Sequence, residues 1–304
     1  MTVELRPPRL EDAADLAAVV DEFGRVMDGD RLTPAVAETW LGTPSLDLER
    51  DARVALVGGR IAGFGDVFDS SHQGNVMWTF LAGDPASPDI WSPLLDFVEA
   101  RAEELAAPEG RLKVTLPEKA VALHALLESR GWAFDRFSFR MVAPLDGDLP
   151  EPEWPEGISV RPFRDEDARA VYEVQEETFS EHEDHTPLAY EDWLHWSRRE
   201  PFDRELWSLA EAEGELQGIV LSRAEWDGDP TLGWVSVVGV RRPWRRRGIG
   251  LALLRHSFRQ LRERGETRVG LGVDAKNETG ALQLYERAGM HVARRRFCYR
   301  KTVG

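Results

Sequence analysis

A single cysteine, Cys298, stands in 304 residues, so no intrachain disulfide can form, and no Cys/His cluster has zinc spacing. The expectation is a metal-free site. No apolar run approaches the ~20 residues of a membrane span. The opening MTVELRPPRLEDAAD lacks a basic-then-apolar signal pattern. These absences predict a cytoplasmic protein with no membrane partner. Basic residues are scarce as well: 38 Lys and Arg face 54 Asp and Glu, for a formal net charge of −16. That balance argues against a general nucleic-acid binder, because phosphate neutralisation needs clustered Lys and Arg. The rest is ordinary for a globular chain, 42% hydrophobic and 30% charged, at a length of roughly two average domains.

The chain repeats itself. Val3-Glu4-Leu5-Arg6-Pro7 matches Ile158-Ser159-Val160-Arg161-Pro162 at an offset of 155, and Arg9, Glu11, Asp12 and Ala13 fall on Arg164, Glu166, Asp167 and Ala168. Each half opens with a short alternating strand, an X-Pro break and an acidic helix start. Ala13, Leu16, Val20 and Phe23 then keep the helical period as one apolar stripe. Further on, VALVGGRIAGF (54–64) aligns with SLAEAEGELQGI (208–219), placing Gly63 on Gly218, and both read as strand, turn, strand. Leu126–Trp132 falls on Leu284–Met290 at an offset of 158. Between the halves, residues 143–157 hold four prolines and five acids, the composition of an extended linker. The pattern predicts an α+β protein of two duplicated domains, 1–142 and 158–304.

Charge is unevenly spread. Residues 241–304 hold 17 Lys/Arg and 5 Asp/Glu, a net of +12, whereas the first 240 residues carry −28. A basic stretch is ordinarily a solvated helix face, but this one contains glycines in a pattern. GWVSVVGV (233–240) reads as a buried strand, RRPWRRRGIG (241–250) as a loop, and Leu251, Leu254, Phe258 and Leu261 as the stripe of a following helix. Strand, glycine loop and helix N-terminus together make an anion site: loop N–H groups point at the anion and the helix dipole favours negative charge. No Gly-Lys-Ser/Thr follows, and the first glycine of a dinucleotide fingerprint is missing.

Arg245-x-x-Gly248-x-Gly250 after a Val-rich strand resembles the pyrophosphate-binding signature of the GNAT superfamily of N-acetyltransferases. Asn277, Ala281, Tyr285, then Gly289-Met290 resemble that family's second motif. The resemblance covers roughly 158–301 and, more weakly, the first half, so it implies two tandem GNAT-like domains, each a mixed, mostly antiparallel sheet flanked by helices. It implies acetyl-CoA as co-substrate, held by Arg245, Arg246, Arg247, Gly248, Ile249, Gly250 and Leu251 at the pyrophosphate. Val238, Gly239 and Val240 would pair with the pantetheine as an added strand does, with Asn277 and Ala281 nearby. Asn277 is equally suited to cap a helix. Tyr285 would protonate the leaving thiolate; a phenol of pKa ~10 suits that role, though a core tyrosine is the plainer reading.

The family usually places a glutamate on the central strand, yet Trp234, Val235, Ser236 and Val237 offer no carboxylate. The cluster Glu181-His182-Glu183-Asp184-His185 supplies the candidates, Glu181 or His182, for base or substrate contact; four or five such residues together are also common in a solvated loop. Tyr190, Trp193 and Trp196, after a helix start at Thr186-Pro187, read as packing. In the first half DPASPDIW (84–91) has two acids, no glycine and no arginine, Leu127 replaces the tyrosine, and Lys119 falls near the asparagine. An acidic loop repels a pyrophosphate, so this half is expected to be non-catalytic. The implied function is transfer of an acetyl group from acetyl-CoA to an amine by direct attack, with a small cationic acceptor suggested by the acidic body. The alternative is a non-catalytic acyl-CoA-binding or regulatory protein. The partners expected are acetyl-CoA and the amine, with no nucleic acid and no membrane, in a monomer or homodimer.

Overall fold

The two halves lay down matching elements in one order, except that the first adds a helical turn and breaks one long strand into two. A computed structural model describes every residue except Met1, Glu183, Asp227, Asn277, Glu278 and Thr279. The first half runs β1 (Val3–Arg6), α1 (Ala13–Met27), α2 (Pro34–Leu41), a single turn α3 (Leu48–Asp51), β2 (Ala52–Val57), β3 (Arg60–Asp66), β4 (Val76–Thr79), β5 (Leu81–Gly83), α4 (Trp91–Leu105), β6 (Gly110–Pro117), α5 (Val121–Ser129) and β7 (Ala133–Pro144). The second runs β8 (Ser159–Pro162), α6 (Ala168–Phe179), α7 (Tyr190–Ser197), β9 (Trp207–Ala212), β10 (Glu215–Arg223), β11 (Leu232–Val240), α8 (Ile249–Glu263), β12 (Arg268–Asp274), α9 (Ala281–Arg287) and β13 (His291–Val303). Helix α7 begins at Tyr190, four residues later than Thr186 suggests.

The matched residues have matched jobs. Arg6 donates two hydrogen bonds to Asp12, at 2.6 and 2.8 Å, and Arg161 makes the same pair to Asp167 at the same distances. Each bidentate pair staples a strand end to a helix start, and the aspartate also accepts the N–H of Arg9 or Arg164. Ala13, Leu16, Val20 and Phe23 are all buried. Gly63 and Gly218 sit under helices: a Cβ would lie 2.7 Å from Ile90 Cδ1 in the first case and 3.2 Å from Leu253 Cδ1 in the second.

The chain divides into two compact units. One is Met1–Ser138 with Glu191–Arg199 and Arg295–Gly304; the other is Phe139–Tyr190 with Glu200–Arg294. In the first unit the strand orders are β1-β2-β3-β5 and β4-β6-β13; in the second, β8-β9-β10-β11-β12-β7. Boundaries drawn at 1–142 and 158–304 therefore miss three segments, for a reason of pairing. Arg296–Val303 runs antiparallel along β6, from Pro117 to Gly110, so the second half's last strand completes the first unit. The end of β7 does the same for the second unit, and α7 also belongs to the first.

Part of the basic stretch is structural. On α8, Arg255 pairs with Glu153 at 2.9 Å, Arg259 donates to Leu149 O at 3.1 Å, and Arg262 to Gly147 O at 3.1 Å. Three turns of one helix thus strap the proline-rich segment down. Among the described residues, no helix is long and apolar enough to cross a membrane.

Candidate active site

Strand β11 is paired on one side only along most of its length. Antiparallel pairing with β10 runs from Arg223↔Trp234 to Gly218↔Val240. Parallel pairing with β12 is confined to Leu232–Trp234 against Arg268–Gly270. Beyond it the strands part among the described residues, leaving the edges of Val235–Val240 and Leu271–Asp274 unpaired with each other. An edge of this kind offers N–H and C=O groups to an extended amide chain. Gly239 is required there by close approach, since a Cβ would stand 2.5 Å from Thr178 Oγ1 on α6.

The loop after β11 is shaped to present donors. Arg246 has φ +60° and Gly248 φ +94°, left-handed values that turn successive amides the same way. Gly248 precedes the first residue of α8, and no side chain caps that helix. Among the described residues the N–H groups of Arg246, Arg247, Gly248, Ile249, Gly250 and Leu251 have no protein acceptor, six in succession at a positive helix end. At Gly250 an added Cβ would already press on Leu284 Cδ2 at 3.3 Å. Arg245 is folded back on the strand, its Nε donating to Val240 O at 2.8 Å, and Arg247 lies over the Trp244 ring at 4.5 Å.

Glu181 faces this loop. Its carboxylate pairs with Arg245 at 2.6 Å and Arg242 at 3.1 Å, and Glu177 pairs with Arg241 at 3.0 Å. The hydrogen bond from Arg245 holds the Glu181 carboxyl below its ordinary range. A carboxylate engaged by two guanidinium groups is a poorer proton acceptor than a free one. His182 differs. It is half-buried, packed on the Phe179 ring at 5.0 Å, and burial, reinforced by His185, pushes its pKa below the ordinary histidine value, while Asp274 at the end of β12 pulls the other way. A neutral imidazole thus stands near the parted strands. His185 pairs with Glu176 at 3.0 Å, and Glu183 lies outside the described residues.

Helix α9 presents Tyr285 inward. Ala281, Leu284, Tyr285 and Ala288 share the face that packs on the second unit's core. The helix closes with Met290 N–H on Tyr285 O and Gly289 N–H on Glu286 O, both 3.0 Å, and Gly289 at φ +91°. Gly131 closes α5 in the same way, with Trp132 N–H on Leu127 O. Burial raises the Tyr285 phenol to about 12, and its hydroxyl has no hydrogen-bond partner among the described residues. Asn277 lies outside the described residues.

The first half fills the same places differently. Its central strand is interrupted at Phe80, between β4 and β5. In the loop before α4, Asp84 accepts from Ala86 N at 2.9 Å and Ser87 Oγ at 3.1 Å, so a carboxylate already occupies donors at that turn. Leu127, at the tyrosine's position, is fully buried, and Lys119 pairs with Asp28 at 3.6 Å. Two features of the second half escaped the sequence reading. The pairing of Glu177 and Glu181 with three arginines had a visible signal, acids and arginines both clustered, but not its partners. The Thr178–Gly239 approach had only the glycine.

Comparison with known proteins identifies the class of the fold that carries the parted strands, the donor loop and the buried phenol. Residues 168–290 match the acetyltransferase (GNAT) family. A GCN5-related N-acetyltransferase from Sphaerobacter thermophilus is 32% identical, with a TM-score of 0.76 covering 99% of this chain and 95% of that one. A tandem GNAT protein from the clavulanic acid biosynthesis pathway shares the fold over 100% of this chain and 99% of its own, at 17% identity and a TM-score of 0.70. The mycothiol acetyltransferase of Streptomyces coelicolor is 35% identical over 188 residues, 61% of this chain and 60% of its own. Matches to two further mycothiol acetyltransferases each span 53% of the relative's length. The chain belongs to the GNAT family of acetyltransferases and is built from two GNAT-like halves.

Proposed function

We propose that the chain moves an acetyl group from acetyl-CoA to an amine by direct attack, with residues 158–304 catalytic and residues 1–142 non-catalytic. The observation that carries this reading is the run of six N–H groups without a protein acceptor, from Arg246 to Leu251, at the start of α8. A diphosphate fits it by charge and by donor count. The open edge at Val238, Gly239 and Val240 suits the amides of a pantetheine arm, and a main-chain N–H there would polarise the thioester carbonyl. His182, neutral at pH 7, takes the proton from the acceptor ammonium. The amine nitrogen then bonds to the carbonyl carbon as the carbon–sulfur bond breaks, Tyr285 gives its proton to the thiolate, and the second proton shed by the acylated nitrogen returns the tyrosinate to the phenol. A phenol held to about 12 by burial keeps that proton until the thiolate forms.

The acceptor class follows from two hints. The chain's excess of acid, −16 overall, favours encounter with a cation. The name of the relatives makes an amine of a mycothiol precursor the first acceptor to test. Calorimetry of the full chain with acetyl-CoA should return one site per chain, lost in Gly250→Val; two equivalent sites would overturn the assignment to one half. Thioester consumption with amines, led by the mycothiol precursor, separates a catalyst from a non-catalytic acyl-CoA-binding protein.

A further inference from the structure

We propose that the acceptor amine reaches the thioester over Gly272, and that the ring pair Trp226–Trp234 beside it selects an amine whose far end is a flat apolar ring; this rests on the function proposed above. The last residues to pair before β11 and β12 part are Trp234 and Gly270. The indole accounts for the glycine, since a Cβ at Gly270 would stand 2.8 Å from Trp234 Cζ3. The Trp234 ring thus lies across β12 and closes the fork at its vertex. Trp226, in the β10–β11 turn, stacks on it with ring centroids 4.5 Å apart and planes 8° apart. The Arg140 guanidinium lies over the same ring at 4.8 Å. Two neighbours therefore hold the indole in place.

Gly272 follows on the same face of β12, because strand side chains alternate, while Leu271 and Val273 join the core on the other. It is exposed, its φ is not left-handed, and a Cβ there would meet nothing within 4 Å. A glycine inside a strand weakens it, so what this one leaves is space. Across the fork stands Ser236, also exposed, two residues beyond Trp234 as Gly272 is beyond Gly270. Pairing with β10 skips Ser236, for Leu221 faces Val237 and Ser222 faces Val235, which makes a bulge. A pantetheine arm that starts at the donor loop and follows the free edge of β11 back from Val240 ends here, at the vertex. At the other end Asp274 closes β12, near enough for its charge to act on His182. From Gly270 to Asp274 is four residues, about 13 Å, room for one small ring and its amine. His182 receives the proton at one end. The indole pair at the other offers a wall that a ring can cover with its face and an open polar chain cannot.

The test uses the full chain, acetyl-CoA and two amines of similar basicity, benzylamine and 2-methoxyethylamine, with release of the free thiol as the readout. Benzylamine should be used with a kcat/KM higher by about tenfold or more. Gly272→Ala and then Gly272→Val should raise the benzylamine KM in steps, by about tenfold or more in the valine chain. The acetyl-CoA Kd should stay within about twofold of wild type. The unfolding midpoint should hold or rise, because the first added carbon meets no other atom and a β-branched residue suits a strand. Trp226→Ala should bring the ratio of the two amines toward one, whereas a merely structural Trp226 would lower both alike and keep their ratio. Equal use of both amines by the wild-type chain would overturn the proposal, as would a wild-type KM in Gly272→Val or a parallel loss of its acetyl-CoA affinity. So would thioester consumption with neither amine by a wild-type chain that binds acetyl-CoA. Failure of that chain to bind acetyl-CoA would defeat the functional reading instead, so the two fail separately.

Discussion

Glu181 holds Arg245 at 2.6 Å, carboxylate against guanidinium, beside the loop that should meet an anion. A diphosphate entering there competes with an internal carboxylate for the same cation. Removing the competitor should therefore tighten donor binding. Glu181→Gln is expected to lower the acetyl-CoA Kd by roughly two- to fivefold, the worth of one partly exposed ion pair. Weaker binding, measured by calorimetry, would mean that Glu181 orders the loop rather than competing with its ligand.

His182 titrates below the ordinary histidine range because burial disfavours the imidazolium. Lowered means neutral at pH 7, with protonation completed only in acid. The kcat/KM profile should rise with pH through a limb below about 6.5 and be flat from there to neutrality. His182→Ala should remove that limb and reduce turnover by about 10²–10⁴-fold. A limb that survives the substitution belongs to the amine or another group, and His182 would then be no base.

Tyr285→Phe deletes only an oxygen from a buried ring. Acetyl-CoA affinity should hold while the rate of the chemical step falls by about 10²–10⁴-fold, the usual worth of a general acid. Single-turnover kinetics under saturating donor separates these quantities. An unchanged chemical step would return Tyr285 to the core packing it also serves.

Gly239→Ala adds a methyl group 2.5 Å from Thr178 Oγ1, which itself bonds Val174 O at 2.8 Å and is not free to swing away. The clash should destabilise the chain by about 1–3 kcal/mol. Thr178→Ala in the same chain should recover part of that loss, so the pair should be non-additive in denaturant unfolding. Additive losses would mean that α6 simply retreats.

Much of this was legible in the residues because each local signal had a local cause. Arg6 with Asp12 and Arg161 with Asp167 repeat since each pair closes a strand onto the next helix, and Gly131 and Gly289 repeat since each ends a helix in the left-handed region. The loop Arg245–Gly250 reads as an anion site for the same reason: its donors come from consecutive residues. What depends on distant partners was not legible. Trp193 and Trp196 announce burial at helical spacing, but not that Thr43 and Trp40 receive the Trp196 ring. Glu181 reads as a free acid until Arg242 and Arg245 are folded beside it. Nothing in HVARRRFCYRKTV tells a strand which sheet to join, because alternation fixes faces and not neighbours.

The pairing of β6 with Arg296–Val303 brings Thr115 within 3.3 Å of Cys298, 183 positions away. Contacts so remote in sequence form late, after most loop-closure entropy has been spent, and they slow the search for the native state. During synthesis β6 emerges long before its neighbour, with one edge bare and open to pairing with another copy of the chain. Cleavage at residues 143–157 would leave two fragments each missing a strand, so neither should mature alone, whereas mixing them should restore both by complementation. The molecule is in this sense a covalently linked strand exchange, in which each half supplies a strand segment to the unit built mainly from the other.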